Sequence, residues 1–203
     1  MMTTRTVRIL LCIVAVLGFS TSSYAQTAPS AEFSVGWRLR NIPDAFGEDS
    51  QTLPLGWYAD VAGNLSRALA VVGEVSGNYK DFDETTTIGT TTVNVNASLN
   101  VHTFLGGVRF NARQNPSFTP FVQALFGLAR VGGDAEIQTT IAGRTFSVSQ
   151  SVSDSDFAFD ASGGVNIKLS DALAARVSGG YLRVGGSDGG NAFRFGVGVV
   201  FPF

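Results

Sequence analysis

The chain has 203 residues, 44% hydrophobic and 15% charged, with a formal net charge of −2. That length suits one domain with a substantial core, and a composition dominated by Gly, Phe, Thr, Ser and Val favours β-structure. The charge excludes the basic footprint of a nucleic-acid-binding protein. Beyond the N-terminus no apolar run reaches the roughly 18 residues of a spanning helix, so any membrane crossing falls to strands.

Residues 1–25 read as a secretory signal peptide: Arg5 and Arg8, then an apolar stretch over residues 9–19, then the small-x-small site Ser23-Tyr24-Ala25. The apolar stretch is too short to serve easily as a membrane anchor. Cys12 lies within it, preceded by Leu10 and Leu11 where a lipoprotein signal wants a small residue. Cleavage leaves residues 26–203 as one domain without cysteine, carrying 12 basic and 16 acidic residues.

The mature chain then alternates apolar and polar residues in segment after segment, the signature of strands with one apolar face. Residues 31–40 set Phe33, Val35, Trp37 and Leu39 against Ser34, Gly36, Arg38 and Arg40. Residues 41–54 form a polar loop with Pro43 and Pro54, and residues 55–62 set Leu55, Trp57, Ala59 and Val61 against Gly56, Tyr58, Asp60 and Ala62. A tight turn at residues 63–66 leads to the strand 67–79, with Leu69, Val71, Val75 and Tyr79 opposite Glu74, Ser76 and Asn78. A Thr- and Asn-rich connection spans residues 80–100, followed by strand 101–111. In strand 119–131, Gln123 and Arg130 fall on opposite faces; a bulge would reconcile them. Residues 132–156 form the longest connection, and strands 157–169, 173–183 and 191–203 complete the chain. In the last, Phe193, Phe195, Val197, Val199, Phe201 and Phe203 occupy every second position.

Connections alternate long and short, as in an up-and-down meander with turns at one end and loops at the other. The expectation is an all-β, eight-stranded antiparallel up-and-down transmembrane β-barrel. A soluble lipocalin-like barrel shows the same alternation with its faces exchanged. Aromatic placement decides for the membrane: Phe33, Phe110 and Phe203 fall at the short-turn end, Trp57, Tyr79, Phe157, Tyr181 and Phe193 at the long-loop end, as two girdles around a mainly aliphatic band. On the opposite face Arg38, Asp60, Glu74, Arg109, Asp160, Lys168, Arg176 and Arg194 carry both signs, which predicts a plugged, ion-paired interior.

LGGVRF (residues 105–110), PFVQALFG (residues 120–127) and the ending GVGVVFPF (residues 196–203) carry a resemblance to the small outer-membrane β-barrel family that includes the OmpA transmembrane domain and OmpX. It covers nearly the whole mature chain. The resemblance implies the bacterial outer membrane as location, surrounding lipid and the barrel-assembly machinery as partners, a monomer, and no cofactor. Members end in an aromatic, with a glycine and a second aromatic before it, read as an insertion signal; Gly198, Phe201 and Phe203 match that spacing. Gly196 in place of the usual polar residue, and Pro202, depart from it.

Signs of chemistry are thin, and no enzyme is expected. The lone histidine, His102, has no neighbouring catalytic partner, and Phe104 stands where a His-x-Ser lipid deacylase pattern needs serine. Asp81, Asp83 and Glu84 lack the spacing of a calcium loop, and the Gly-rich residues 185–190 lack the lysine of a phosphate loop. No catalytic, cofactor or metal site is therefore assigned. Three functions remain: a structural barrel that maintains membrane integrity, a surface interaction protein using its long loops for a ligand, or a small diffusion pore.

Overall fold

The computed structural model describes residues 29–43, 50–89, 91–115, 117–141, 144–186 and 189–203; the signal-peptide segment lies outside the described residues. The strands are β1 (Ala31–Ile42), β2 (Gln51–Leu53), β3 (Leu55–Asn64), β4 (Leu69–Ile88), β5 (Thr91–Asn111), β6 (Phe118–Ile141), β7 (Arg144–Ser170), β8 (Leu173–Val184) and β9 (Asn191–Pro202). Every neighbouring pair is antiparallel, and β9 returns to β1, so eight strands close a ring. Closure leaves no sheet edge within the ring. The seam runs from Glu32 opposite Pro202 to Asn41 opposite Phe193. Beyond it the Ala31 and Phe203 backbones exchange two hydrogen bonds, at 2.9 and 3.0 Å. Pro202, which has no N–H to give, is the last residue of β9, where the loss is tolerated.

Alternation sorts the side chains as the membrane reading requires. Glu32, Ser34, Arg38, Arg40, Asp60, Glu74, Arg109, Asp160, Arg176 and Arg194 are buried inside the ring, while Phe33, Trp57, Val61, Phe104, Val122 and Phe195 face out. In β6, Phe121, Gln123, Leu125 and Ala129 point inward and Val122, Phe126, Leu128 and Arg130 outward. The bulge expected in residues 119–131 is absent: β6 keeps an unbroken register with both neighbours. Gln123 and Arg130 are seven positions apart, so simple alternation already puts them on opposite faces. A register shift occurs instead between Lys168 and Ser170, where β7 meets the turn into β8.

Two connections are strands rather than loops. Residues 80–88 and 91–99 pair with each other, as do residues 131–141 and 144–154, and β5 pairs with β6 throughout. The β4–β5 hairpin turns at Gly89, whose φ of +62° is the left-handed geometry glycine adopts without cost. β3 stops at Leu55 opposite Tyr79, and the β7–β8 pairing ends at Ala158 opposite Val184. Beyond those points β4–β7 continue as a four-stranded sheet standing off one end of the barrel. The Thr and Asn content that suggests a loop is compatible with a solvated two-sided sheet, since Thr is itself a strand former. β2, in the expected 41–54 loop, adds three pairs to β1.

Candidate functional site: the barrel interior and the sheet beyond it

Interior charges form two ion clusters rather than one chain. In the cluster nearer the short turns, Arg109 Nη2 reaches Asp60 Oδ1 at 3.1 Å and Arg176 Nη1 reaches Asp60 Oδ2 at 2.7 Å. Ser34 also donates to Asp60. Arg109 Nε donates to Gln123 at 2.8 Å and Arg176 Nε to Asn166 at 2.8 Å. Glu32 lies 3.8 and 3.6 Å from the same two guanidiniums and pairs with Arg113. The Phe121 ring has both guanidinium carbons 4.9 Å from its centroid.

In the other cluster, Arg38 grips Glu74 through two hydrogen bonds, at 2.5 and 3.1 Å. Such a fork-on-fork pair is both charge-assisted and directional. Arg194 bridges Glu74 at 3.1 Å and Asp160 at 2.5 Å, and Ser162 donates to Asp160 at 2.6 Å. Tyr58, fully buried, lies against Arg38 with 4.3 Å from guanidinium carbon to ring centroid. Its ring occupies space left by Gly36 and Gly198, opposed across the seam: a Cβ at Gly198 would stand 2.5 Å from both the Tyr58 hydroxyl and the Val35 carbonyl oxygen. The void among Arg38, Tyr58, Glu74, Arg109, Arg176 and Arg194 is about 10 Å³, room on the order of one water.

Seven of the eight expected network residues thus converge. Lys168 does not: its side chain is 45% exposed and pairs with Asp171 at 2.6 Å. It has the inward parity of Asn166 but belongs to the last regular β7–β8 pair, opposite Ala174, where the strands meet the turn and open to solvent. There its ammonium, by hydrogen bond and then by charge, holds the Asp171 carboxyl below the usual carboxylate range. Glu32 and Arg40 share the parity of Arg38, so carrying the alternation to both ends of β1 finds them. Arg113 sits in a turn after β5, where periodicity gives no signal. Arg40 is 1% exposed, and its Nε and Nη2 have no hydrogen-bond partner among the described residues.

Outside, the expected girdle residues Phe33, Trp57, Phe110, Phe157, Phe193 and Phe203 are all exposed, and Tyr79 and Tyr181 half-buried. Trp57 Nε1 donates to the Tyr79 hydroxyl at 3.2 Å, which lies 3.0 Å from His102 Nε2. These rings combine an apolar body with a satisfied polar tip, as an interfacial position demands. The band between is less aliphatic than expected, with Phe104, Phe126 and Phe195 also exposed.

On the protruding sheet, Asp81 and Asp83 share a face with Asp134 and Glu136, the rows being Asp81–Ser98–Asp134–Ser151 and Asp83–Asn96–Glu136–Ser149. Alternation sends Glu84 to the other face, so the acidic trio of residues 81, 83 and 84 does not converge. That other face carries Phe82, Val95, Ile137, Phe146, Val148 and Val152.

A family model described as outer membrane protein beta-barrel domain matches residues 11–201. Among solved structures, Ail, the attachment invasion locus protein of Yersinia pestis, is similar with a TM-score of 0.54 at 16% identity, covering 87% of this chain and all of that one, 100%. A second structure of Ail, with a TM-score of 0.54 and 13% identity over 87% of this chain and 100% of that one, is a complex with the heparin analogue sucrose octasulfate. Neisserial surface protein A is similar with a TM-score of 0.51 at 8% identity, over 88% of this chain and 100% of that one. Among curated protein sequences none matches significantly.

Proposed function

The chain belongs to the outer membrane protein beta-barrel domain family, and from that premise we propose that it is a closed outer-membrane anchor whose role is to hold a four-stranded sheet at the cell surface for contact with a partner. The observation that carries this reading is the continuation of β4–β7 past the ring, because strands of 20 to 27 residues far exceed the 9–11 that crossing needs. The void among the interior charges is only about 10 Å³, which argues against a diffusion pore, and among the described residues the side-chain hydrogen-bond partner of His102 is the Tyr79 hydroxyl. The short turns face the periplasm and the sheet faces outward. Lipid surrounds the girdled band.

Residues 80–100 and 130–156 hold seven acidic and three basic side chains. A polyanion of the kind bound to Ail is repelled by such a surface, so the segment of the partner that contacts this sheet is neutral or cationic. Deleting residues 134–151 closes the β6–β7 hairpin at Gly133 and Val152. Cells expressing that variant are expected to lose binding to other cells or to matrix while keeping a heat-modifiable barrel. Undiminished binding contradicts the proposal.

Gly198, Phe201 and Phe203 are further proposed as the signal read by the barrel-assembly machinery. Support comes from their place on and just after the closing strand β9, with Phe33 and Phe201 rings stacked 6.3 Å apart across the seam.

A further inference from the structure

β7 presents an unguarded edge. Its partner β8 stops at Val184 and Gly186 still packs beside Asp156, so from residue 144 to 155 one side of the strand has no strand partner among the described residues. The side is known from its flanks. Gly185 N donates to the Phe157 carbonyl on the β8 side at 2.8 Å, while Lys168 N donates to Ser117 on the β6 side at 2.9 Å. Odd-numbered residues therefore aim their backbone away from β6, and the unbroken register carries that alternation upward. Thr145, Ser147, Ser149, Ser151, Ser153 and Ser155 each turn an N–H and a C=O to the open side.

Exposed edges are normally blunted by lysine, proline, inward charges or bulges. The opposite edge of this sheet follows the rule, with Lys80 and Asp81 on one side of Phe82 and Asp83 and Glu84 on the other. The β7 edge breaks it: residues 145–153 contain no charge and no proline, and no bulge interrupts their register. Phe146, Val148 and Val152 are 61%, 71% and 64% exposed along it.

The residue order along this edge is self-complementary. In an antiparallel pairing that sets Ser149 against the same residue of a second copy, Thr145 meets Ser153 and Ser147 meets Ser151. All are positions whose backbone groups face the edge, so they form the hydrogen-bonded pairs. Between them, in the non-bonded pairs where side chains approach most closely, Phe146 meets Val152, Val148 meets Gln150 and Arg144 meets Asp154. Two-fold symmetry makes each of these contacts twice, placing an ion pair at both ends. Shifting both strands by one step to centre on Gln150 sets Phe146 against Asp154, so the first register is preferred. The acidic rows Asp81–Asp83 and Asp134–Glu136 do not oppose it: those nearest the edge lie one strand back in each copy. They are three strand spacings or ~14 Å apart, beyond the screening length of ~8 Å.

Resting on the surface-contact reading above, we propose that the occupant of this edge is the β7 edge of a second copy of the chain carried by an apposing membrane. The strand direction decides the arrangement. Two copies in one membrane run β7 in the same sense and cannot pair it antiparallel, whereas copies in facing membranes run it oppositely. The device joins cells and leaves each barrel monomeric in its own bilayer.

The test uses two differently coloured vesicle populations bearing the full protein with its sheet outward and Cys12→Ser. Wild-type populations are expected to co-cluster. Arg144→Glu alone and Asp154→Arg alone each bring like charges together at both ends and weaken clustering roughly tenfold or more. Mixing the two single variants restores it, because each introduced charge then faces its opposite. That rescue separates pairing from misfolding. Ser149→Cys is expected to give disulfide-linked dimers across populations, within the ~4.4–6.8 Å Cα range a disulfide accepts, and Ser151→Cys, which faces Ser147, is not. Dispersed wild-type vesicles, clustering indifferent to both swaps, or no rescue in the mixture overturns self-pairing. If vesicles stay dispersed while the protein still binds cells that lack it, the surface-contact reading stands and this one falls.

Discussion

Glu74 is the residue on which the interior charge balance turns. Three oxygen–nitrogen contacts tie it to Arg38 and Arg194, and all three side chains are buried. A buried ion pair is weak evidence for stability, because desolvation cancels much of its attraction, but removing one partner strands the other's charge. Glu74→Gln is therefore expected to cost about 3–5 kcal/mol, read from urea unfolding of the refolded barrel in micelles. A loss below ~1 kcal/mol would mean that water reaches the guanidiniums. Gly198 poses a different question, since its place in the terminal pattern and its place under Tyr58 both call for glycine. If packing decides, Gly198→Ala destabilises the purified barrel in micelles, where no assembly machinery operates, while Gly73→Ala, with nothing within 4 Å of the added Cβ, does not. Deleting Phe203 is expected to impair assembly in cells more than Val197→Ala does; equal effects would reduce Phe203 to another lipid-facing side chain. At this scale parity of sequence position made most interior charges legible. Lys168 was misplaced because parity says on which side a residue lies and nothing about how far along the barrel it sits.

Among elements, the contrast is between strands that close the ring and strands that outgrow it. The seam of β9 with β1 and β8 was legible in the alternating phenylalanines of residues 193–203 and the answering pattern of residues 31–40. The ends of β4–β7 were not, because Thr-, Ser- and Asn-rich segments satisfy loop and solvated strand equally; cross-strand pairing decides between them, and it depends on partners some tens of residues away. Because the protruding pairs are separate from the ring, deleting residues 134–151 should change barrel stability by less than ~1 kcal/mol, as expected for a marginal ribbon remote from the core. A larger loss in urea unfolding would show that the sheet braces the barrel rather than being carried by it.

For the whole molecule, the inward placement of charge and outward placement of aromatic and aliphatic side chains is the inverse of a soluble barrel, and the ring's two ends differ in kind. One end finishes in short turns and the Lys168–Asp171 pair, while the other rises into a sheet with one unguarded edge. The fold could be read from alternation because an eight-stranded barrel leaves so little interior that side-chain parity nearly determines it, and the membrane setting from the placement of the aromatics, since a soluble barrel alternates in the same way. What the sheet contacts was not readable from composition, since an edge shows itself only when its neighbours are known to stop short. The claim that the barrel is closed and serves to carry that sheet is tested most directly by current through planar bilayers containing the pure refolded protein. The account predicts an unbroken baseline, with at most rare, brief events. Steady single-channel openings would contradict it and would require a continuous water path through the Asp60 and Glu74 clusters.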